Sequence, residues 1–166
     1  MIKYIIIILT LFFFQTAKAS EILGFPKVVD GDTIHIKSYK IRLEGIDAPE
    51  MKQKCKKNFL KISTIISFNL KKEYFCGKES KTKLKKKIGD KLVTCNTSGK
   101  DRYKRYLATC YIDKINLNRW LVKNGHAVAF TRYSKTYVKD EKFAKDNKLG
   151  IWAGTFMTPE NWRKLN

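Results

Sequence analysis

Three carboxylates lie where two neighbouring predicted strands begin and end. Asp32 follows a tight turn at the start of one strand, while Asp47 and Glu50 follow the end of the next. In an antiparallel hairpin the start of one strand lies beside the end of the following strand, so we expect Asp32 and Asp47 at one rim. Two adjacent carboxylates repel each other unless a proton or cation neutralises them, and a hard divalent ion suits them. Aspartates that only form turns are the alternative.

Two arginines accompany these acids. Arg42 lies five residues before Asp47, and Arg105 follows a predicted turn at Asp101. Arginine stays charged and can bind a phosphate through two parallel hydrogen bonds. In a chain with a formal net charge of +20, two guanidinium groups near a carboxylate cluster indicate a bound phosphodiester. Surface ion pairs, which contribute little to stability, are the alternative interpretation.

The composition is that of a globular domain with a basic surface. The chain has 166 residues, of which 35 are Lys or Arg and 15 are Asp or Glu, and 43% are hydrophobic. This apolar content argues against a disordered chain, and the length suggests one domain. Only the N-terminal segment is apolar enough to approach a membrane span, which excludes a polytopic membrane protein.

Residues 1–19 have the pattern of a secretory signal peptide. Lys3 precedes an apolar run of residues 4–14, and Ala17 and Ala19 are small residues suited to cleavage after Ala19. We therefore expect residues 20–166 to form the mature domain, in the periplasm or outside the cell. An uncleaved N-terminal anchor is the alternative.

Four cysteines follow this segment, and an exported protein can keep them as disulfides. Sequential pairing, Cys55 with Cys76 and Cys95 with Cys110, closes the shortest loops and is favoured, although four cysteines allow three connectivities. The chain has no CxxC pair and its two histidines are isolated, so a zinc site is poorly supported.

The predicted elements follow the chain order of an OB-fold, an α+β domain built on a five-stranded β-barrel with about three helices. Strands are predicted over 23–29, 33–37, 41–46, 91–95 and 106–112, and helices over 80–88, 117–123 and 137–148. The pattern of residues 59–70 does not distinguish helix from strand. The first helix falls between the third and fourth strands, as in that fold.

Four motifs in a fixed order resemble the thermonuclease family, the staphylococcal-nuclease-like domain. They span roughly residues 25–155 and read Val29-Asp30-Gly31-Asp32-Thr33, Ile41-Arg42-Leu43-Glu44-Gly45-Ile46-Asp47-Ala48-Pro49-Glu50, Asp101-Arg102-Tyr103-Lys104-Arg105 and Gly150-Ile151-Trp152. The resemblance implies a five-stranded OB barrel and a calcium-dependent phosphodiesterase that cuts DNA and RNA to leave 3′-phosphate ends. Secreted relatives with paired cysteines also resemble this chain, which supports the sequential disulfides.

The resemblance also implies a role for each site residue. Asp32 and Asp47 would bind Ca²⁺ through their carboxylates, and Ala48 through its backbone carbonyl. Glu50 would act as the general base or orient the attacking water. Arg42 and Arg105 would hold the scissile phosphate. Three further residues are expected to bind the substrate, namely Arg102, Tyr103 and Lys85.

Two features depart from the pattern of the family. Lys104 stands where many relatives have Gly, and a positive φ there would cost about 1 kcal/mol. The segment between Cys55 and Cys76 is longer than usual and rich in lysine; residues 51–88 hold 13 Lys and two acids. This segment either widens the nucleic-acid footprint or forms a solvated loop, and the sequence leaves both open.

We expect a monomer that acts on DNA and RNA and has no stable protein partner. A non-catalytic OB module that binds nucleic acid is the main alternative, and its signature would be loss of Glu50 or of an arginine. A basic binder of anionic polymers or lipids is the second alternative.

Overall fold

The computed structural model of the chain describes residues 20–62 and 68–166. The predicted signal peptide over residues 1–19 lies outside these ranges. Within them, no helix is both long enough and apolar enough to cross a lipid bilayer.

The described residues form twelve strands and four α-helices, with one 3₁₀ turn at Gly150–Ala153. The strands are β1 (Glu21–Gly24), β2 (Pro26–Val28), β3 (Thr33–Ile36), β4 (Tyr39–Leu43), β5 (Ile46–Asp47), β6 (Lys54–Ile62), β7 (Phe68–Phe75), β8 (Val93–Lys100), β9 (Tyr106–Ile112), β10 (Ile115–Asn116), β11 (Val128–Ala129) and β12 (Gly154–Thr155). The helices are α1 (Cys76–Ile88), α2 (Leu117–Lys123), α3 (Val138–Asp146) and α4 (Pro159–Leu165).

The main sheet curls into a nearly closed barrel. Its strand order is β1-β8-β9-β4-β3-β2, with β10 added to β9. Only Phe25 separates β1 from β2, so the two act as one bent strand that bonds to β8 on one side and to β3 on the other. The β4–β9 pair is parallel and the other pairs of this path are antiparallel. The predicted five-stranded barrel is confirmed.

The barrel is filled by alternating residues of each strand, whose side chains face inward. Ile34 and Ile36 of β3 are fully buried, as are Ile41 and Leu43 of β4, because successive strand residues face opposite sides of a sheet. Leu84 of α1 packs into the same core. The strands that form this core end at the barrel rim, where the candidate site lies.

Both disulfides follow the sequential pairing. Cys95 and Cys110 face each other across β8 and β9 inside the core, with a Cα–Cα distance of 4.0 Å. Cys55 of β6 joins Cys76, the first residue of α1, with a Cα–Cα distance of 5.6 Å. The Cys55–Cys76 disulfide therefore ties the base of the β6–β7 hairpin to α1, the helix that follows it.

The structure adds elements that the sequence pattern did not predict. Of the undecided stretch 59–70, residues 59–62 belong to β6 and residues 68–70 to β7, which pair antiparallel, while residues 63–67 lie outside the described ranges. Strand β12 also pairs with β6, and α1 begins at Cys76. A fourth helix, α4, starts after Thr158, whose hydroxyl accepts a hydrogen bond from the N–H of Asn161. The helix expected over 137–148 ends at Asp146, two residues early.

Candidate active site

Arg42 lies between the two aspartates that the sequence placed at one rim. Its Nη1 donates to Asp32 Oδ1 at 2.6 Å and its Nη2 to Asp47 Oδ1 at 3.1 Å. The strands explain this arrangement, because Arg42 of β4 pairs with Thr33 at the start of β3, next to Asp32. The structure thus brings the two predicted carboxylates and one predicted arginine together.

Both aspartates are buried. Asp32 is 4% exposed and Asp47 is 1% exposed. The backbone N–H of Ala48 donates to Asp32 Oδ2 at 2.8 Å, which joins the loop after β5 to the turn before β3. Burial raises the pKa of Asp32 to about 7, because desolvation outweighs the opposing charge of Arg42. A cation close to Asp32 would favour its ionised form.

Glu50 lies at the same rim but is more open to solvent. Its backbone N–H donates to Oε1 of the buried Gln53 at 3.1 Å. The carbonyl of Glu50 lies against Gly77 in the first turn of α1, where any side chain would clash with it. These contacts hold the loop in place while leaving the Glu50 carboxylate, 36% exposed, beside the aspartates.

A residue that the sequence analysis did not single out completes the cluster. Arg163 of α4 donates to both oxygens of Asp47 at 2.9 Å and to Glu50 Oε1 at 2.8 Å. The hydrogen bonds to Asp47 are the main reason that the pKa of Arg163 rises above its ordinary value. Thr158 followed by Pro159 and Glu160 is a helix-start signal that could have predicted α4. No sequence spacing, however, relates Arg163 to Asp47.

The other predicted arginine is engaged elsewhere. Arg105 donates from Nε and pairs through Nη2 with Asp101 Oδ2, at 2.8 and 2.7 Å. Arg105 immediately precedes β9, where Leu107 lies opposite Arg42 of the parallel strand β4. Its guanidinium bonds to Asp101 and not to the aspartates that hold Arg42.

The three predicted substrate-binding residues occupy two separate places. The exposed ring of Tyr103 lies under the Arg102 guanidinium, 4.8 Å from its centroid, with Arg105 at 5.5 Å. Lys85 is exposed in the last turn of α1, two turns beyond Gly77, and the structure does not bring it to the carboxylates. Lys104 has a φ of 62°, so the turn does hold this residue in the left-handed region.

The donor set at the rim suits a hard divalent cation. Within residues 20–62 and 68–166, no three His, Cys, Asp or Glu side chains form a metal-binding group. The candidate ligands are instead two buried carboxylates, Asp32 and Asp47, which already hold the cationic groups of Arg42 and Arg163. Backbone carbonyl and water oxygens can complete the coordination of such an ion.

Comparison with known proteins identifies the class. Residues 40–154 match the family model described as staphylococcal nuclease homologue, and the chain belongs to this family. An uncharacterized endonuclease of Escherichia coli O157:H7 is 30% identical over 164 residues, which is 95% of this chain and 94% of that protein. The barrel is therefore that of a staphylococcal-nuclease-like domain.

Two other relatives are longer than the matched region. The succinoglycan biosynthesis protein ExoI of Rhizobium meliloti (strain 1021) is 36% identical over 137 residues, 81% of this chain and 66% of that protein. An uncharacterized endonuclease of Haemophilus influenzae is 34% identical over 146 residues, 83% of this chain and 70% of that protein. The chain thus spans about two thirds of these relatives.

Proposed function

We propose that the chain is a calcium-dependent nuclease that hydrolyses phosphodiester bonds of DNA and RNA and leaves 3′-phosphate ends. The single observation that carries the proposal is the convergence of Asp32, Arg42, Asp47 and Glu50 at one rim of the barrel. Membership of the family and the endonuclease names of the two relatives support it.

Asp32, Asp47 and the carbonyl of Ala48 would hold the calcium ion. When bound, such an ion polarises a phosphoryl oxygen and lowers the pKa of nearby water. Glu50 accepts a proton from the water that attacks phosphorus, and the bond from phosphorus to the 5′ oxygen breaks. That oxygen takes up a proton from solvent, to which Glu50 later returns the proton it accepted, and the phosphate stays on the 3′ side.

The arginines act on the phosphate. Arg42 is fixed by Asp32 and Asp47, so its guanidinium is positioned before substrate binds, which suits stabilisation of charge on the equatorial oxygens. Arg105 would reach the same phosphate from the turn at 101–105. To do so, its guanidinium would leave Asp101 and bind the phosphate instead. This exchange is possible because the Arg105 side chain is 24% exposed.

The nucleic acid would extend over basic and aromatic groups beyond the scissile phosphate. The stacked Arg102 and Tyr103 offer a cation and an exposed ring to a base or phosphate. Lys85 adds positive charge along α1, and the β6–β7 hairpin would widen the footprint through Lys54 and Lys56. A steep dependence of binding on salt is the expected signature.

The cysteines and the N-terminal segment support a proposed compartment. The two disulfides suit an oxidising compartment, which agrees with the predicted signal peptide over 1–19 and secretion or export to the periplasm. We propose that the mature protein, residues 20–166, acts there as a monomer.

The test is cleavage of single- and double-stranded DNA and RNA with Ca²⁺, Mg²⁺ or EDTA in parallel, followed by end-group analysis. We expect cleavage with Ca²⁺, none with EDTA, and 3′-phosphate ends. Glu44→Gln, which alters a surface carboxylate bonded to Ser98, is a matched control that should cleave like wild type. Binding of nucleic acid without cleavage in Ca²⁺ would indicate the non-catalytic module instead.

A further inference from the structure

We propose that the Arg163 guanidinium occupies the oxygens of Asp47 that a metal ion would bind. Metal binding and docking of α4 on the barrel therefore compete. The inference rests on the proposed metal site and goes beyond it. In the structure, Arg163 pairs with Asp47 and Glu50. A divalent ion that takes an oxygen of Asp47 displaces the guanidinium and loosens the last helix.

The first argument is the occupancy of Asp47. Its Oδ1 accepts from Arg42 and Arg163, and its Oδ2 accepts from Arg163. Since Asp47 is 1% exposed, its oxygens offer almost no free surface to an incoming ion. A cation can reach Asp47 only if one of the two arginines withdraws.

The second argument identifies which arginine withdraws. Arg42 belongs to the central strand β4, is 15% exposed and also bonds to Asp32, so its movement would disturb the barrel. Arg163 is 37% exposed and belongs to a seven-residue helix near the end of the chain. Displacement of Arg163 therefore costs fewer other contacts.

The third argument is the light attachment of α4. Pro159 is its one buried residue, and a cleft of about 240 Å³ lies between its first turn and the body, beside Asp47 and Trp152. Outside the Arg163 contacts, the helix and its lead-in are held by the Gln53–Met157 hydrogen bond, by Glu160, which pairs with Arg132 at 3.4 Å, and by Phe156, whose ring packs against Trp152. The guanidinium is thus a principal tie between α4 and the barrel.

Calcium titration by calorimetry, on wild type, Arg163→Gln and Lys164→Gln, tests the competition. Removing the competing guanidinium should tighten Ca²⁺ binding about ten-fold or more. Lys164→Gln removes the same charge from the same helix, and its side chain pairs with Glu160, so we expect an affinity close to wild type. Arg163→Lys keeps the charge but loses the bidentate contact with Asp47, so its Ca²⁺ affinity should lie between those of wild type and Arg163→Gln.

Hydrogen exchange of the Trp162 amide, which donates to the Thr158 carbonyl within α4, gives a readout independent of activity. We expect saturating Ca²⁺ to speed this exchange in wild type, and Arg163→Gln to exchange fast with or without Ca²⁺. Equal Ca²⁺ affinity in wild type and Arg163→Gln would overturn the coupling alone. The same holds if the exchange rate of the Trp162 amide in wild type does not change when Ca²⁺ is added. Absence of Ca²⁺ binding in every protein would overturn the metal site and the coupling together.

Discussion

The buried side-chain amide of Gln53 donates a 2.6 Å hydrogen bond to the backbone carbonyl of Met157. Its Oε1 accepts from the N–H of Glu50, so one side chain links the loop that carries Glu50 to the segment that carries α4. The two parts of the chain are 104 positions apart from Gln53 to Met157. This link positions Glu50 and Arg163 relative to each other.

Replacement of Gln53 by Met keeps the volume and removes both hydrogen bonds. Because Gln53 is fully buried, the Glu50 N–H and the Met157 carbonyl lose their partner, and we expect unfolding to become easier by about 2–4 kcal/mol. Urea denaturation measures this change. Lys52→Met, at the exposed neighbouring position, serves as the control and should stay close to wild type.

Glu50→Gln should suppress cleavage by a factor of order 10²–10⁴, because the amide cannot accept the proton from water. The fold and the Ca²⁺ affinity should remain largely intact, since Asp32 and Asp47 are untouched. Rates of plasmid cleavage, together with circular dichroism and calcium titration, check this. Activity near that of wild type would refute the general-base role.

Arg42→Gln should destabilise the ion-free chain by about 3 kcal/mol or more, because two buried carboxylates lose their shared partner. Ca²⁺ should recover part of this loss, since it offers another positive charge to Asp32 and Asp47. Urea denaturation with EDTA and with Ca²⁺ measures both effects. A loss of the same size in both conditions would contradict a cation site at these residues.

Lys104→Gly should stabilise the protein by up to about 1 kcal/mol, because Lys104 has a φ of 62° that glycine adopts without strain. Thermal unfolding measures the gain. Lys100→Gly, within strand β8, should have the opposite effect, since glycine in a strand loses more backbone entropy on folding. Two changes of the same sign would argue against strain at Lys104.

His126 should make stability depend on pH below neutrality. Burial, assisted by the charge of Lys83, lowers the pKa of His126 to about 4, from an ordinary value of 6.5. Between these values the unfolded chain binds a proton at His126 that the folded chain does not, so the contribution of His126 to the free energy of unfolding falls as pH drops from about 6.5 to 4. The slope from this group is at most about 1.4 kcal/mol per pH unit.

The measurement is urea denaturation of wild type and His126→Gln across pH 4–8. The variant should lack this part of the slope, and above pH 7 its difference from wild type should be constant. Parallel curves over the whole range would show that His126 does not titrate differently in the folded and unfolded chains.

Local patterns were enough to predict most of the barrel. The strand over 106–112 and the helix over 117–123 have the predicted bounds, because strand alternation, the Asn116 cap and Gly125 act within a few residues. The β6–β7 hairpin was not predicted, because its lysines and mixed apolar runs fit either a helix or a strand. Tertiary pairing with β12 helps to define it as a sheet.

The amino-acid sequence by itself predicted the strands of the barrel, favoured the observed disulfide pairs and placed Asp32 and Asp47 at one rim. The disulfides join residues at most 21 positions apart, and strands follow from local alternation, whereas closure of the barrel pairs β4 with the distant β9. Only the tertiary structure decided that Arg163 contacts Asp47 and Glu50, 116 and 113 positions earlier. That contact depends on where the last helix docks, which no periodicity specifies. The burial that raises the pKa of Asp32 is likewise a property of the assembled rim.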